Sequence, residues 1–311
     1  MKDLWTQIAE TEEICLSELR KAPFAQISEK LVLSSVPSIK STSIVHSLAH
    51  SRDRRAELAK LAGEVGLQEE IANSNLQRVL LLRAALVSLE KLDHLPVEQS
   101  VKRLICEEFQ FFAKPAAGEM VLFDPQKYSF LALCKIAVLQ RFPAGQFHWE
   151  ISGFPRSWLF KVPRQILPRV AYFLAAELGG FAPCFVPHMA TRRKNRLMLL
   201  EKESNKSWFR MASSAQLWPG IRGLVASSWL HSPDTYRVSP HLSFINKPFV
   251  ESGALVTTMG IADESAGYLA GSAQRREQYK SGKFKPTLGL VLWSRKQMMQ
   301  SVHRHPEFNE N

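Results

Sequence analysis

The chain has 311 residues, of which 45% are hydrophobic and 22% are charged, and its formal net charge is +11. This composition is typical of a globular protein with an apolar core, and it excludes a largely disordered chain. No apolar run in the sequence approaches the roughly 18 residues that a membrane-spanning helix needs. The acidic, amphipathic N-terminus lacks the basic start and apolar centre of a secretory signal, so we expect a cytoplasmic protein.

The basic charge is unevenly distributed along the chain. Residues 1–110 contain 14 Lys and Arg against 16 Asp and Glu, whereas residues 111–311 contain 26 against 13. The basic excess therefore lies in the C-terminal two-thirds. Such an asymmetry favours an anionic partner, which includes tRNA, other nucleic acids, a phosphate-bearing coenzyme and an anionic membrane surface. A generally basic surface without a specific partner is the alternative.

The first part of the chain is predicted to be helical. Apolar side chains such as Trp5, Ile8, Cys15 and Leu19 recur at helical spacing near the N-terminus. A serine-rich stretch at 33–50 contains proline and is predicted to be a loop or short extended segments. We therefore expect a helical domain or lid over 1–115. The predicted helices cover 1–20, 52–66, 68–91 and 97–113.

Helices and strands alternate after residue 145, and we expect a basic α/β domain with a mixed sheet over 116–311. The fold class is α+β, or α/β-like, with an N-terminal helical region followed by a mixed sheet of five or six strands and flanking helices. The stretch TLGLVLW is apolar throughout, which predicts a strand in the centre of the sheet. The predicted strands cover 147–153, 156–162, 221–229, 254–261 and 287–293. The predicted helices cover 127–141, 165–178, 205–217 and 263–281.

The stretch ASSWLHSPDTYRVSPHLSF, residues 226–244, follows a predicted buried strand. Polar residues just beyond a strand are where α/β folds build their sites. We expect His231 or His241 to act as a general base with Asp234 as its orienting acid, and Ser228 is a further catalytic candidate. The same residues also suit an ordinary turn.

Two clusters of cations carry aromatic or apolar neighbours, TRRKNR at 191–196 and QRREQYKSGKFKP at 274–286. Arg and Lys interleaved with aromatic side chains suit phosphate contacts together with stacking. A helix C-terminus also favours cations through its dipole, which is the structural alternative for the second cluster. The residues predicted to bind phosphate or nucleic acid are Arg192, Arg193, Lys194, Arg275, Arg276, Lys280 and Lys283.

Other catalytic motifs give weak signals. FHWE places His148 and Glu150 two residues apart on a predicted strand, and His188 could complete a non-haem iron site, but we expect no metal. The four cysteines are not arranged as CxxC and are predicted to be reduced thiols. The GxSxG, GxGxxG and GxxxxGK[ST] patterns do not occur.

The order of strands and helices loosely resembles that of GNAT-type acyltransferases, although the Q/RxxGxG/A loop of that family is missing. The resemblance implies an acyl-group transferase acting in biosynthesis on a small-molecule acceptor. The expected donor has an anionic carrier: an aminoacyl-tRNA, or an acyl thioester of coenzyme A or of a carrier protein. The alternatives are a non-catalytic nucleic-acid-binding or regulatory protein and, second, a non-haem iron oxygenase.

Overall fold

The computed structural model describes residues 2–21, 25, 29, 39–51, 53, 56–57, 74–115, 118–124, 127–190, 199–262, 269 and 272–309. The chain forms two compact units. The first comprises Met1–Leu95 and Lys102–Phe142, and the second comprises Pro96–Val101 and Pro143–Asn311. The domain limits predicted from the sequence are 1–115 and 116–311. They differ from the residue ranges of these units and stay a prediction.

The first unit is built around one buried helix. Most side chains of Ser74–Leu92 are buried, and the neighbouring helices pack around it because it presents apolar residues on nearly every side. Arg83 of this helix donates from Nε to Glu12 Oε1 at 2.5 Å, and both side chains are buried. The helices are α1 (Lys2–Leu19), α2 (Ile39–His50), α3 (Ser74–Leu92), α4 (Gln99–Ala113, in this unit from Lys102 onward), the short 3-10 helix η1 (Met120–Phe123) and α5 (Tyr128–Ala137).

The serine-rich stretch was predicted as a loop, and this is wrong from residue 39 onward. Residues 39–50 form α2, because Val45, Leu48 and Ala49 lie on one face of a helix and are buried. Residues 33–38, and most of the helix predicted over 52–66, lie outside the described residues.

The second unit contains a six-stranded sheet with the order β1-β2-β3-β4-β6-β5. Strands β3 and β4 pair in parallel, whereas β2 and β3, β4 and β6, and β5 and β6 pair antiparallel. The mixed sheet with flanking helices confirms the predicted α+β class; the GNAT-type element order is not confirmed. The strands are β1 (Arg141–Pro143, which begins in the first unit), β2 (Phe147–Ser152), β3 (Cys184–Met189), β4 (Gly223–Ser228), β5 (Leu255–Ile261) and β6 (Thr287–Ser294).

Helices cover both faces of this sheet. The α-helices are α6 (Leu167–Ala176), α7 (Glu201–Leu217), α8 (Pro233–Val238), α9 (Lys247–Glu251), α10 (Ala273–Lys280) and α11 (Arg295–Arg304). The 3-10 helices are η2 (Arg156–Lys161), η3 (Trp229–His231), η4 (Pro240–Ile245) and η5 (Pro306–Phe308). On one face, Trp158 of η2 and Val170 and Leu174 of α6 pack against strand residues such as Val225 and Leu290. The other face is covered by α7, α9 and α11, where Trp208 stacks on Phe147 with ring centroids 4.3 Å apart.

Three local predictions fail in this unit. Residues 156–162 alternate like a strand but form η2, because Pro155 and Pro163 bracket the segment and neighbouring Trp158 and Leu159 both face the core. Strand β3 was not predicted, since APCFVPHM contains two prolines. The apolar strand β6 is interior, between β4 and the edge strand β5, rather than central. Among the described residues, no helix combines the length and low polarity needed to cross a membrane.

Candidate functional site

Strand β3 contains Pro187 beside its parallel neighbour β4. Their parallel pairing is recorded at Phe185↔Leu224, near the start of both strands. The antiparallel pairing of β3 with β2 continues past Pro187 to Met189. Proline has no N–H to donate, so a proline inside a sheet removes a ladder hydrogen bond on one side. We conclude that Pro187 weakens the hydrogen-bond ladder between β3 and β4. In open α/β sheets, ligands bind just beyond the carboxyl ends of such strands.

Gln146 forms hydrogen bonds with the residue after β3 and with the start of α7. Its side-chain Oε1 accepts from the Leu200 backbone N–H at 3.2 Å and from Ser204 Oγ at 2.7 Å, and its backbone oxygen accepts from Ala190 N–H at 3.1 Å. Gln146 therefore fixes the start of α7 beside the end of β3. The segment 191–198 connects these two points. It contains the predicted anion-binding residues Arg192, Arg193 and Lys194, which lie outside the described residues.

An open cleft with a volume of ≈ 830 Å³ lies beside the start of α7. Its walls come from the first residue of α7, from Val256 of β5 and from α8, η4 and α9, which follow β4 along the chain. Most of the cleft is thus built by segments that follow the two parallel strands in the chain. Within its lining, Lys247 Nζ lies 4.0 Å from Glu201 Oε1, and both side chains are more than half exposed. The lining residues are Glu201, Pro233, Tyr236, Pro240, His241, Ser243, Phe244, Asn246, Lys247, Val250 and Val256.

The four predicted catalytic side chains are all described, and of these His241 lines the cleft as an exposed residue at the start of η4. An exposed imidazole in a cleft reaches a bound molecule without displacing any core contact. Tyr236 also lines the cleft, but its Oη donates to Leu230 O at 2.6 Å, and burial raises the pKa of its phenol. Tyr236 therefore remains a neutral, already engaged hydrogen-bond donor.

His231 is buried beneath the cleft. Its Nδ1 lies 2.7 Å from Asn246 Oδ1, and Asn246 Nδ2 donates to His231 O at 3.0 Å. Because Asn246 Oδ1 is an acceptor, Nδ1 carries the proton in this tautomer. Burial lowers the pKa of His231 to about 4, against a smaller opposing effect of the Asn246 hydrogen bond. These contacts make His231 a neutral link between η3 and the start of α9.

Ser228 and Asp234 take part in capping and turn contacts. Ser228 Oγ accepts from Leu230 N–H at 3.2 Å at the start of η3. Asp234 Oδ2 accepts from Thr287 Oγ1 at 2.8 Å, and the Asp234 N–H donates to Ser232 Oγ, the cap of α8. The structure thus does not bring Asp234 to either histidine as an orienting acid; it ties Asp234 to β6.

The chain between β4 and α8 passes very close to β6. A Cβ placed on Gly289 would lie 2.5 Å from Ser232 N and closer still to the carbonyl group of His231. All three of these neighbouring atoms belong to the backbone. The position of His231, and through Asn246 the start of α9, therefore depends on the absence of a side chain at residue 289.

The second basic cluster divides into a buried cation and exposed ones. Arg275 Nη1 donates to Ser239 Oγ at 3.0 Å, and its guanidinium lies over the Trp229 ring, 5.0 Å from the centroid. Burial, followed by the nearby Arg276, lowers the pKa of Arg275. Arg276 is exposed and donates to Leu269 O at 3.1 Å. The remaining cations of the cluster are exposed at the end of α10 and just beyond it, and they are Lys280, Lys283 and Lys285.

The residues of the alternative metal site lie on neighbouring strands. His148 of β2 is the cross-strand partner of His188 of β3, and His188 Nε2 lies 3.5 Å from Glu150 Oε1. Across the ranges that the structure describes, no group of three or more His, Cys, Asp or Glu side chains is arranged to hold a metal ion.

The sequence pattern indicated the 233–244 stretch, which includes His241. It did not indicate the other residues that line the cleft. Glu201 and Lys247 are ordinary charged helix residues in sequence, and only the fold brings them within 4.0 Å. The sequence offered one signal, Pro187 between Val186 and His188, because a proline inside a strand removes a ladder hydrogen bond.

The chain was also compared with known proteins, by sequence and by structure. The comparisons with protein-family models, with curated proteins and with solved structures gave no match to this chain.

Proposed function

We propose that this protein transfers an acyl group from a donor with an anionic carrier to a small-molecule acceptor. The observation that carries the proposal is the open cleft between the start of α7 and the helices that follow β4, with an exposed histidine in its wall. A cleft of ≈ 830 Å³ is within the range of small-molecule and cofactor sites. The donor is an aminoacyl-tRNA or an acyl thioester of coenzyme A or of a carrier protein.

His241 is the proposed general base. An acceptor amine or hydroxyl loses its proton to the imidazole as it attacks the donor carbonyl, and a new C–N or C–O bond forms. The bond from the carbonyl carbon to the carrier sulfur or oxygen then breaks. The departing thiolate or alkoxide takes the proton back from the imidazolium, so the histidine returns to its starting state.

Lys247 and Glu201 are the proposed contacts for the acceptor. Their charged atoms lie 4.0 Å apart in the lining of the cleft and are exposed, so an incoming molecule with both a carboxylate and an ammonium group replaces a weak surface ion pair with two new ones. An amino acid or a related zwitterion has this charge pattern. Its attacking group is then a separate neutral amine or hydroxyl, because the ammonium held by Glu201 has no lone pair.

The carrier is proposed to contact cations outside the first turn of α7. That turn contains Glu201 and Glu203, whose charges oppose a phosphate at the helix N-terminus. The segment 191–196 brings four cations into the connection that starts at Ala190, and Arg276 and Lys280 are exposed on α10. A cytoplasmic location belongs to the same proposal and is supported by the four cysteines, which are free thiols.

The test measures acyl transfer directly. The protein is incubated with acyl-coenzyme A thioesters, an acyl carrier protein or aminoacyl-tRNA in the presence of amino-acid acceptors, and the acylated product is detected by mass spectrometry. His241→Ala is expected to reduce the rate about 10²-fold or more, the usual contribution of a general base. His303→Ala is the matched control, because His303 is an exposed histidine on α11 away from the cleft lining.

Two results contradict the proposal. Equal rates for His241→Ala and His303→Ala remove His241 as the base. Tight, salt-dependent binding of tRNA or another nucleic acid without transfer from any donor favours the non-catalytic alternative, which the basic C-terminal part supports.

A further inference from the structure

The layer formed by η2 and α6 covers one face of the sheet in the second unit. Its inner side chains, including Trp158 of η2 and Val170 and Leu174 of α6, pack on the strands. Lys161 O lies 3.2 Å from the position that a Cβ on Gly260 would take, so η2 is seated closely on β5. Residues of η2 and α6 that point away from the sheet therefore share one outer surface.

This outer surface carries large aromatic side chains that the fold leaves exposed. Phe160 of η2 is 90% exposed and Tyr172 of α6 is 70% exposed. At the margin, Phe181 is 47% exposed and the Arg156 guanidinium lies over its ring, 5.2 Å from the centroid. A phenylalanine exposed to this degree buries almost no apolar area on folding, so it adds almost nothing to the free energy of folding. Grouped exposed apolar side chains are typical of interaction surfaces.

The same segment is strongly basic. Between Gly153 and Phe181 the chain contains four cations and a single acid, Glu177. Lys161, Arg164 and Arg169 are exposed, so their charges are available on the outer side of the layer. Exposed aromatic rings among Lys and Arg are the side-chain combination that binds the headgroup region of an anionic bilayer, where rings insert and cations contact lipid phosphates.

From this combination we infer that the outer surface of η2 and α6, defined by Phe160, Lys161, Arg164, Arg169 and Tyr172, binds peripherally to membranes that contain anionic lipids. The inference is independent of the proposed transferase activity. The cleft lies on the opposite side of the sheet, between α7 and α9, so a protein lying on a bilayer through this surface keeps its cleft open to water.

Vesicle sedimentation tests the inference with the full chain. The protein is expected to pellet with phosphatidylcholine vesicles that contain phosphatidylglycerol and to stay in solution with pure phosphatidylcholine. Bound protein is expected to fall as salt rises, because the lipid charge is screened. Phe160→Asp is expected to weaken partitioning about tenfold or more, and Lys161→Glu with Arg164→Glu about fivefold per cation.

Leu217→Asp is the matched control, because Leu217 is a 51% exposed apolar residue at the end of α7, on the other side of the sheet. Phe160 makes so little contact that Phe160→Asp is expected to melt like the parent chain. Equal binding to charged and neutral vesicles, or equal effects of Phe160→Asp and Leu217→Asp, overturns the inference. A third result also overturns the inference: the protein does not bind vesicles but binds RNA, and Phe160→Asp weakens the RNA binding. The surface is then a nucleic-acid interface.

Discussion

The close approach of the backbone to Gly289 leads to a quantitative prediction. Gly289→Ala adds a single methyl group, and that group would stand 2.5 Å from Ser232 N and nearer still to the carbonyl of His231. Ordinary carbon contacts in proteins begin near 3.5 Å. Neither neighbour can rotate away, because both are backbone, so β6 and the chain above it have to separate by about an ångström.

The expected cost is at the upper end of the range for overpacking, about 3 kcal/mol. For a unit of about 150–250 residues, this corresponds to a fall in Tm of roughly 6–12 °C. Gly289 is not among the residues with positive φ, so the prediction depends on the contact alone and not on backbone strain.

The assay is thermal and urea denaturation of Gly289→Ala beside Gly220→Ala. Gly220 also has no positive φ, and no heavy atom lies within 4 Å of the position that its added methyl group would take. Its substitution is therefore expected to change stability by less than about 0.5 kcal/mol. If the two variants have the same Tm, the backbone of His231 does not depend on Gly289. The close contact of β6 with η3, and the support that it gives to His231 beneath the cleft, would then be wrong.

Two further predictions concern stability. Because the pKa of His231 is lowered to about 4 in the folded state, the unfolded chain binds the extra proton as pH falls below about 6.5. Between pH 6.5 and 4, the free energy of unfolding of the parent chain should therefore fall by up to about 1.4 kcal/mol per pH unit relative to that of His231→Asn. Parallel profiles of unfolding free energy against pH for the two chains would contradict this. Arg295 donates to the backbone oxygens at the end of α7, so Arg295→Ala should destabilise by about 1–3 kcal/mol in urea titration. The neighbouring exposed Lys296→Ala should have almost no effect, and equal midpoints would remove the capping role of Arg295.

The sequence predicted the regular elements that contain a long apolar run. Helix α3 and strand β6 are close to their predicted ranges, because each buries a long apolar run. Helix α2 was missed since its serines resemble loop residues, and η2 was predicted as a strand since a short 3-10 helix between two prolines has no period of its own.

The candidate site was only partly predictable for a related reason. His231 and His241 have similar sequence surroundings, yet one is 4% exposed and the other lines the cleft. Their difference arises from Gly289 and Asn246, which lie on other elements of the chain. Contacts between residues far apart in sequence decide such cases, and local patterns do not contain them.

Helix α7 is anchored at both ends by side chains from elsewhere in its own unit. Gln146 accepts hydrogen bonds from its first turn, and Arg295 donates to the carbonyls of Gln216 and Trp218 at its end. A helix held in this way resists sliding along its axis. The facing wall of the cleft consists of helices of five or six residues over 233–251. It is joined to the core through Asn246 on His231, through Asp234 on Thr287 of β6 and through the buried ring of Phe249. The Phe249 ring contacts both Trp208 of α7 and Trp293 of β6, so the two walls of the cleft rest on one shared aromatic cluster and its packing sets their spacing.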